Sequence, residues 1–177
     1  MKFRNRGNQQ GRHLPVLVSL GLLFASSAAW ALKTDAEQPI TVEADSADID
    51  DGNKRSTYRG NVIITQGSIR LEANVVTVQK SPSQKNNNMT AEGQPARFQQ
   101  EVEGKKGEFV QGRAKRIDYD SDSENIFLVG DAFLTQEGSS FSSDRITYDK
   151  ARSLVKGGAA ASGKQRVRLT IKNTKAE

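Results

Sequence analysis

Residues 47–78, ADIDDGNKRSTYRGNVIITQGSIRLEANVVTV, recur in altered spelling at residues 117–148, IDYDSDSENIFLVGDAFLTQEGSSFSSDRITY, at a constant offset of 70 with no gap. Asp48, Asp50, Gly60, Thr65, Gln66 and Thr77 fall on Asp118, Asp120, Gly130, Thr135, Gln136 and Thr147. Asn61 falls on Asp131, Ile64 on Leu134, Leu71 on Phe141, Asn74 on Asp144 and Val76 on Ile146. A fixed period of this kind is the signature of one supersecondary unit laid beside another. Within each copy the apolar residues alternate with polar ones, which is strand periodicity with one apolar face.

Outward from the repeat the same grammar continues. Ile40, Val42 and Ala44 alternate with Thr41, Glu43 and Asp45, and Val167, Leu169 and Ile171 alternate with Arg166, Arg168, Thr170 and Lys172. Turn signals recur roughly every 8–12 residues, and no window shows a helical stripe. Asp50-Asp51-Gly52-Asn53 and Glu103 to Gly107 read as turns, Ser81 to Asn88 as a mobile polar loop, and Gly157 to Gly163 as a small, flexible segment. The class is all-β: a sandwich, jelly roll or open solenoid. Only 35% of the residues are apolar, low for a closed core and suited to a thin structure with apolar surface held open.

The first 31 residues read differently. Lys2, Arg4, Arg6 and Arg12 precede an apolar run from Leu14 to Ala29, and Ala29-Trp30-Ala31 is a small-x-small site. This is the pattern of a cleaved secretory signal peptide, cut after Ala31 or, second, after Ala29. Its apolar run is short for a membrane span, which needs roughly 20 residues. Four of the 26 basic residues and none of the 21 acidic ones lie there, so the remainder carries a net charge of about +1. Without a basic stripe, nucleic acid is not an expected partner.

Residues 32–177 contain no Cys, His or Trp. That removes most nucleophile–base pairs and most zinc or copper sites. Asp118-x-Asp120-x-Asp122-x-Glu124 resembles a calcium loop but carries Ser123 where the loop needs Gly and Val129 where it needs the bidentate Glu, so it reads as a polar turn. No catalytic residue, metal or cofactor is expected, and no nucleotide-binding loop is present to supply energy.

Four stretches, in order, carry a resemblance: Gln38 to Asp45 (QPITVEAD), Gly60 to Gly67 (GNVIITQG), Ala91 to Phe98 (AEGQPARF) and Gly130 to Leu134 (GDAFL). Together they closely resemble the LptA/OstA family, periplasmic lipopolysaccharide-transport bridge proteins of Gram-negative bacteria, over about residues 36–172. The resemblance implies a jelly roll of two antiparallel sheets opened into a V, in one domain over 32–172 with a flexible tail at 173–177. It implies an apolar interior that holds lipid A acyl chains, with no enzymatic activity. It also implies subunits stacked head to tail in the periplasm. The N-terminal edge would meet a single-span inner-membrane transport component, and the C-terminal edge the periplasmic domain of an outer-membrane translocon.

Period two then places Ile40, Val42, Ile49, Val62, Ile64, Leu71, Val76, Phe98, Tyr119, Leu134, Phe141, Ile146, Leu169 and Ile171 on the inner face. The resemblance marks these as lipid-binding, above all Ile40, Val42, Phe98 and Tyr119. Plain core packing is the alternative for each. Parity stays open between Val62/Ile64 and Ile63, and between Ile126/Leu128 and Phe127/Val129, where every residue is apolar. Arg97, Arg113, Lys115 and Arg116 read first as solvated strand faces and second as partners for lipid phosphates. A secreted scaffold that binds envelope proteins without lipid, and a hydrolase using paired carboxylates, are the competing functions.

Overall fold

In a computed structural model, residues 35–83, 85–102, 104–158 and 166–172 are described. Residues 1–31, read above as a signal peptide, the tail expected at 173–177 and residues 159–163 of the small-residue segment lie outside them. Ten strands follow a short 3-10 turn at Asp35–Glu37: β1 (Ile40–Glu43), β2 (Ser46–Asp50), β3 (Arg55–Gln66), β4 (Ile69–Lys80), β5 (Asn87–Glu101), β6 (Phe109–Asp120), β7 (Asn125–Gln136), β8 (Ser139–Asp149), β9 (Leu154–Gly158) and β10 (Arg168–Thr170). They form one antiparallel meander in the order β1-β3-β4-β5-β6-β7-β8-β10, with β2 also on β3 and β9 also on β8.

The ladder breaks at one level in every long strand. Register shifts fall between Arg59 and Val62, Glu72 and Val75, Glu92 and Ala96, Arg113 and Arg116, and Val129 and Ala132. At all five joints one strand carries extra residues. Gly60 and Asn61 oppose Asn74, Gly93 to Ala96 oppose Ala73 and Asn74, Gly93 to Pro95 oppose Lys115, Gly130 to Ala132 oppose Ala114 and Lys115, and Gly130 and Asp131 oppose Asp144. Bulges bend a strand and sharpen its twist, so bulges in line make a crease. The crease needs left-handed backbone: φ is 77° at Gly60, 44° at Asn61, 80° at Gly130 and 50° at Asp131. Glycine and Asn/Asp are the residues that tolerate it.

The crease divides the continuous ladder into two half-sheets, the two sheets of the expected open roll. The first contains β2, β9 and the adjacent halves of β3 to β8; the second contains β1, β10 and the other halves. The edge strands are fully broken at the crease, so β1 and β2 together occupy one strand position and β9 and β10 another. Pairing through β3 and β7 superposes β1–β2 on β6. Val42 faces Ile64 as Gly112 faces Leu134, and Ile49 faces Ser56 as Tyr119 faces Ile126. Pairing through β4 and β8 likewise superposes β9–β10 on β5. The repeat is therefore four strand positions laid twice.

Strand turns use the acidic residues. Asp50 accepts the Asn53 amide at 2.9 Å, Asp120 the Asp122 amide at 3.0 Å and Asp149 the Arg152 amide at 3.0 Å. Lys54, Glu124 and Ser153 then take positive φ, closing each hairpin. The stretch after β4 is tied down. Ser81 is fully buried, and the Ser83 hydroxyl donates to Asp122 at 2.7 Å. Gly157 and Gly158, expected in a flexible segment, complete β9 on Ile146 and Arg145.

Candidate functional site

Alternation along each strand puts one continuous apolar face inside. In the second half-sheet the register aligns Val42, Ile64, Leu71, Phe98, Gly112, Leu134, Phe141 and Leu169 in one cross-strand row. In the first it aligns Tyr58, Val76, Ala91, Ile117, Leu128 and Ile146. A further row runs Ile49, Ser56, Val78, Met89, Tyr119, Ile126, Tyr148 and Val155. The two half-sheets turn these rows toward each other: a Cβ placed on Gly112 meets the Phe98 ring at 2.0 Å and Leu128 of the other half-sheet at 2.8 Å. Gly112 thus makes room for an aromatic ring lying over its backbone.

Thirteen of the fourteen residues expected on the inner face have inward register there; Ile171 follows the end of β10 and has no strand partner among the described residues. They differ in exposure. Val62, Ile64, Leu71, Val76, Phe98, Leu134 and Ile146 are buried, and Val42, Tyr119 and Phe141 are half-buried against them. Ile40, Ile49, Leu169 and Ile171 lie open at the two edges, Ile40 at 62% and Ile171 at 71% exposure. Parity is resolved too: Val62 and Ile64 point in, and so do Ile126 and Leu128, while Phe127 and Val129 face out. Arg145 lies 5.3 Å over the Phe127 ring, and Arg113 lies 4.5 Å over Phe133.

The centre of the interior is filled by its own side chains rather than held open. The sequence expectation also omitted several of its members. Tyr58 and Leu128, and Val78 and Tyr148, are partners at the offset of 70, so the repeat carried their signal. Met89, Ala91 and Val155 lie outside the aligned copies. Burial pushes the Tyr119 and Tyr148 phenols up from their ordinary value.

The polar chemistry lies outside. A shallow cavity of about 310 Å³ on the outer face of the second half-sheet is lined by Arg70, Glu72, Arg97, Gln99, Gln111, Arg113, Phe133 and Thr135. Arg70 pairs with Glu72 at 2.9 Å. The carboxylates of the calcium-like stretch are engaged elsewhere: Asp118 accepts from Thr90 at 2.8 Å and from Arg116 at 2.9 Å. Among the described residues no group of three or more carboxylate or imidazole side chains is placed to hold a metal ion.

An apolar interior running edge to edge, with wet outer faces, suits a long apolar guest. The family model for "LptA/(LptD N-terminal domain) LPS transport protein" matches residues 41–153, more than half of the chain. The chain belongs to the LptA/LptD N-terminal-domain family. Family relatives include the lipopolysaccharide export system protein LptH of Pseudomonas aeruginosa, 36% identical over 147 residues and 83% of each chain. Another is LptA of Haemophilus influenzae, 36% identical over 158 residues, 88% of this chain and 90% of that one. LptA of Escherichia coli K12 is 34% identical over 136 residues, 76% of this chain and 72% of that one. The crystal structure of the Pseudomonas aeruginosa LptH, described as a periplasmic component of a lipopolysaccharide transport device, superposes with a TM-score of 0.72 at 32% identity. It covers 80% of this chain and 100% of that one. The all-β open fold is thus shared within the family.

Proposed function

We propose that this chain is a periplasmic lipopolysaccharide carrier that bridges the inner and outer membranes and performs no catalysis. The observation that carries this reading is the unbroken inner face. Its rows run across the strands from β1–β2 to β9–β10, and the inner face ends in exposed Ile40 and Ile49 at one edge and exposed Leu169 at the other. Each methylene exposed to water costs roughly 0.8 kcal/mol, so one acyl chain of a dozen carbons costs on the order of 10 kcal/mol. An apolar path continuous from edge to edge removes that cost along the whole route, while the sugars stay in water. Acyl chains enter between the half-sheets and exchange side-chain contacts for side-chain–lipid contacts. Energy for directional transfer comes from a partner.

Among the described residues β1 and β2 pair only with β3, and β9 and β10 only with β8, and a strand edge left without a second partner recruits further strands. In this reading the N-terminal edge takes an inner-membrane single-span component, the C-terminal edge an outer-membrane translocon domain, and copies of the chain stack head to tail between them. Residues 1–31 direct export and are removed.

The filled interior favours a second reading, a lipid-free scaffold for envelope proteins. Photo-crosslinking in cells separates the two. Probes at Phe98 and Tyr119 should capture lipopolysaccharide, and a probe at outward-facing Arg168 should not. Folded, exported protein that yields no lipid adduct at either inward site would leave the scaffold reading standing.

A further inference from the structure

The internal repeat contains a template for the junction between two copies of this chain. β5 and β6 pair inside the molecule, β9–β10 occupies β5's position on the second copy, and β1–β2 occupies β6's position on the first. A second copy laid edge to edge therefore repeats the β5–β6 ladder between molecules. Arg97 faces Arg113, Phe98 faces Gly112, Gln99 faces Gln111 and Thr90 faces Asp118 within the chain. Transferred to the edges, those positions become Arg168 with Glu43, Leu169 with Val42, Thr170 with Thr41 and Lys156 with Asp48.

We propose that copies of this chain associate in that one register, selected by Arg168–Glu43 in one half-sheet and Lys156–Asp48 in the other. This rests on the head-to-tail reading above and specifies it residue by residue. The charges support it. Inside the molecule the equivalent of the first pair is two arginines, and at the edge it is an acid against a base. At the offset of 70 the N-terminal edge carries Glu43 and Asp45 where the interior strand carries Arg113 and Lys115. The edge strand is the acidic version of a basic strand, and the strand it would meet brings Lys156 and Arg168. Opposite charges directly across a ladder stabilise it and like charges destabilise it.

Packing agrees. Val42 meets Leu169 on the inward side, so the apolar row continues from one copy into the next. A slip of one residue turns every inward side chain out. A slip of two leaves acids opposite Arg168 and Lys156, at Asp45 and Asp50, but sets Val155 against Asp51 in a turn and moves the two creases out of line.

The chain has no cysteine, which makes the test clean. Chains carrying Thr41→Cys are mixed with chains carrying Thr170→Cys and oxidised. Both residues are exposed and face outward. Facing positions have Cα atoms about 4.5–5.5 Å apart, within disulfide reach, whereas a diagonal pair two residues off lies roughly 7–8 Å apart. The expected result is a disulfide-linked heterodimer for that pair and none for Glu43→Cys with Thr170→Cys. In parallel, Glu43→Arg and Arg168→Glu each weaken association by about threefold to tenfold in sedimentation velocity, and mixing the two variants restores it. Cross-linking at the shifted pair with association intact would overturn the register and leave head-to-tail stacking in place. No self-association of the unmodified chain at any concentration would overturn both.

Discussion

The two copies of the repeat share a backbone and invert the charge at the crease and at the hairpin end. In the first, Asp45 lies over the crease. Its amide donates to the Gly60 carbonyl at 3.0 Å, and its carboxylate accepts from Asn61 at 3.0 Å. In the second, the position belongs to Lys115, which packs on Gly130 and pairs with Asp131 at 2.8 Å. The same exchange recurs at the end of the hairpin. Asp35 binds the Gly67-Ser68 turn through the Ser68 amide and hydroxyl, both at 2.7 Å, while Lys105 binds Glu137. What the copies must keep is the left-handed bulge that makes the crease. What they vary is the side chain above it, according to whether the strand is a free edge or an interior one.

The largest expected effect comes from exchanging the row residues of the two copies. Val42 on the open edge corresponds to Gly112 under the Phe98 ring, so Gly112→Val displaces that ring and should cost about 3 kcal/mol in urea unfolding. Val42→Gly, the reverse exchange, should cost under about 1 kcal/mol because the edge side chain is only half-buried. Equal losses would mean that the two positions are not distinguished by packing.

Next come the crease glycines. A Cβ at Gly60 falls 2.1 Å from the Asp45 carboxylate and 2.8 Å from the Asp45 Cβ, so the whole side chain must leave; at Gly130 the nearest atom is the Lys115 Cδ at 3.1 Å. Both positions have positive φ, worth roughly 1 kcal/mol to any other residue. Gly130→Ala should therefore cost about 1 kcal/mol and Gly60→Ala about 2 kcal/mol, as midpoints of denaturation will show.

Asp35 gives the third effect. Partial burial pushes its carboxyl up, but the Ser68 amide and hydroxyl and the Gln100 amide outweigh burial and hold it below the ordinary carboxylate range. A carboxyl depressed in the folded state stabilises fully above its unfolded pKa and loses that contribution as pH falls through its folded pKa. Asp35→Asn should lower stability by about 1 kcal/mol at neutral pH and flatten the decline on acidification. An unchanged acid limb would detach the turn from the fold. The smallest effect belongs to Lys115→Ala: both members of the Lys115–Asp131 pair are more than half exposed, and surface pairs add little. Its thermal midpoint should match the parent's in high salt.

Strand content, the inward face and the family were legible because alternation and an ungapped repeat are written into single residues. The crease was half legible: Gly60 and Gly130 stood out at matching positions, but the line through Asn74, Pro95, Lys115 and Asp144 exists only once the strands pair. Parity at Val62 to Ile64 and at Ile126 to Val129 needed partners, since a wholly apolar run has no phase of its own. β9 escaped because Gly157 and Gly158 bear no side chain to show a face. The filled interior escaped because period two says which way a side chain points and nothing about how far the opposite wall stands.

The distance between the two walls decides whether lipid can enter. If acyl chains lie between the half-sheets, the walls must part. Spin labels at Thr77→Cys and Gln99→Cys sit on the outer faces of opposite half-sheets, and dilution with unlabelled chain isolates the distance within one molecule. Adding lipopolysaccharide should lengthen that distance by about 4 Å, the width of one alkyl chain in contact on both sides, while its deacylated saccharide should leave it unchanged. An unaltered distance with lipopolysaccharide bound would contradict the account and place the lipid elsewhere.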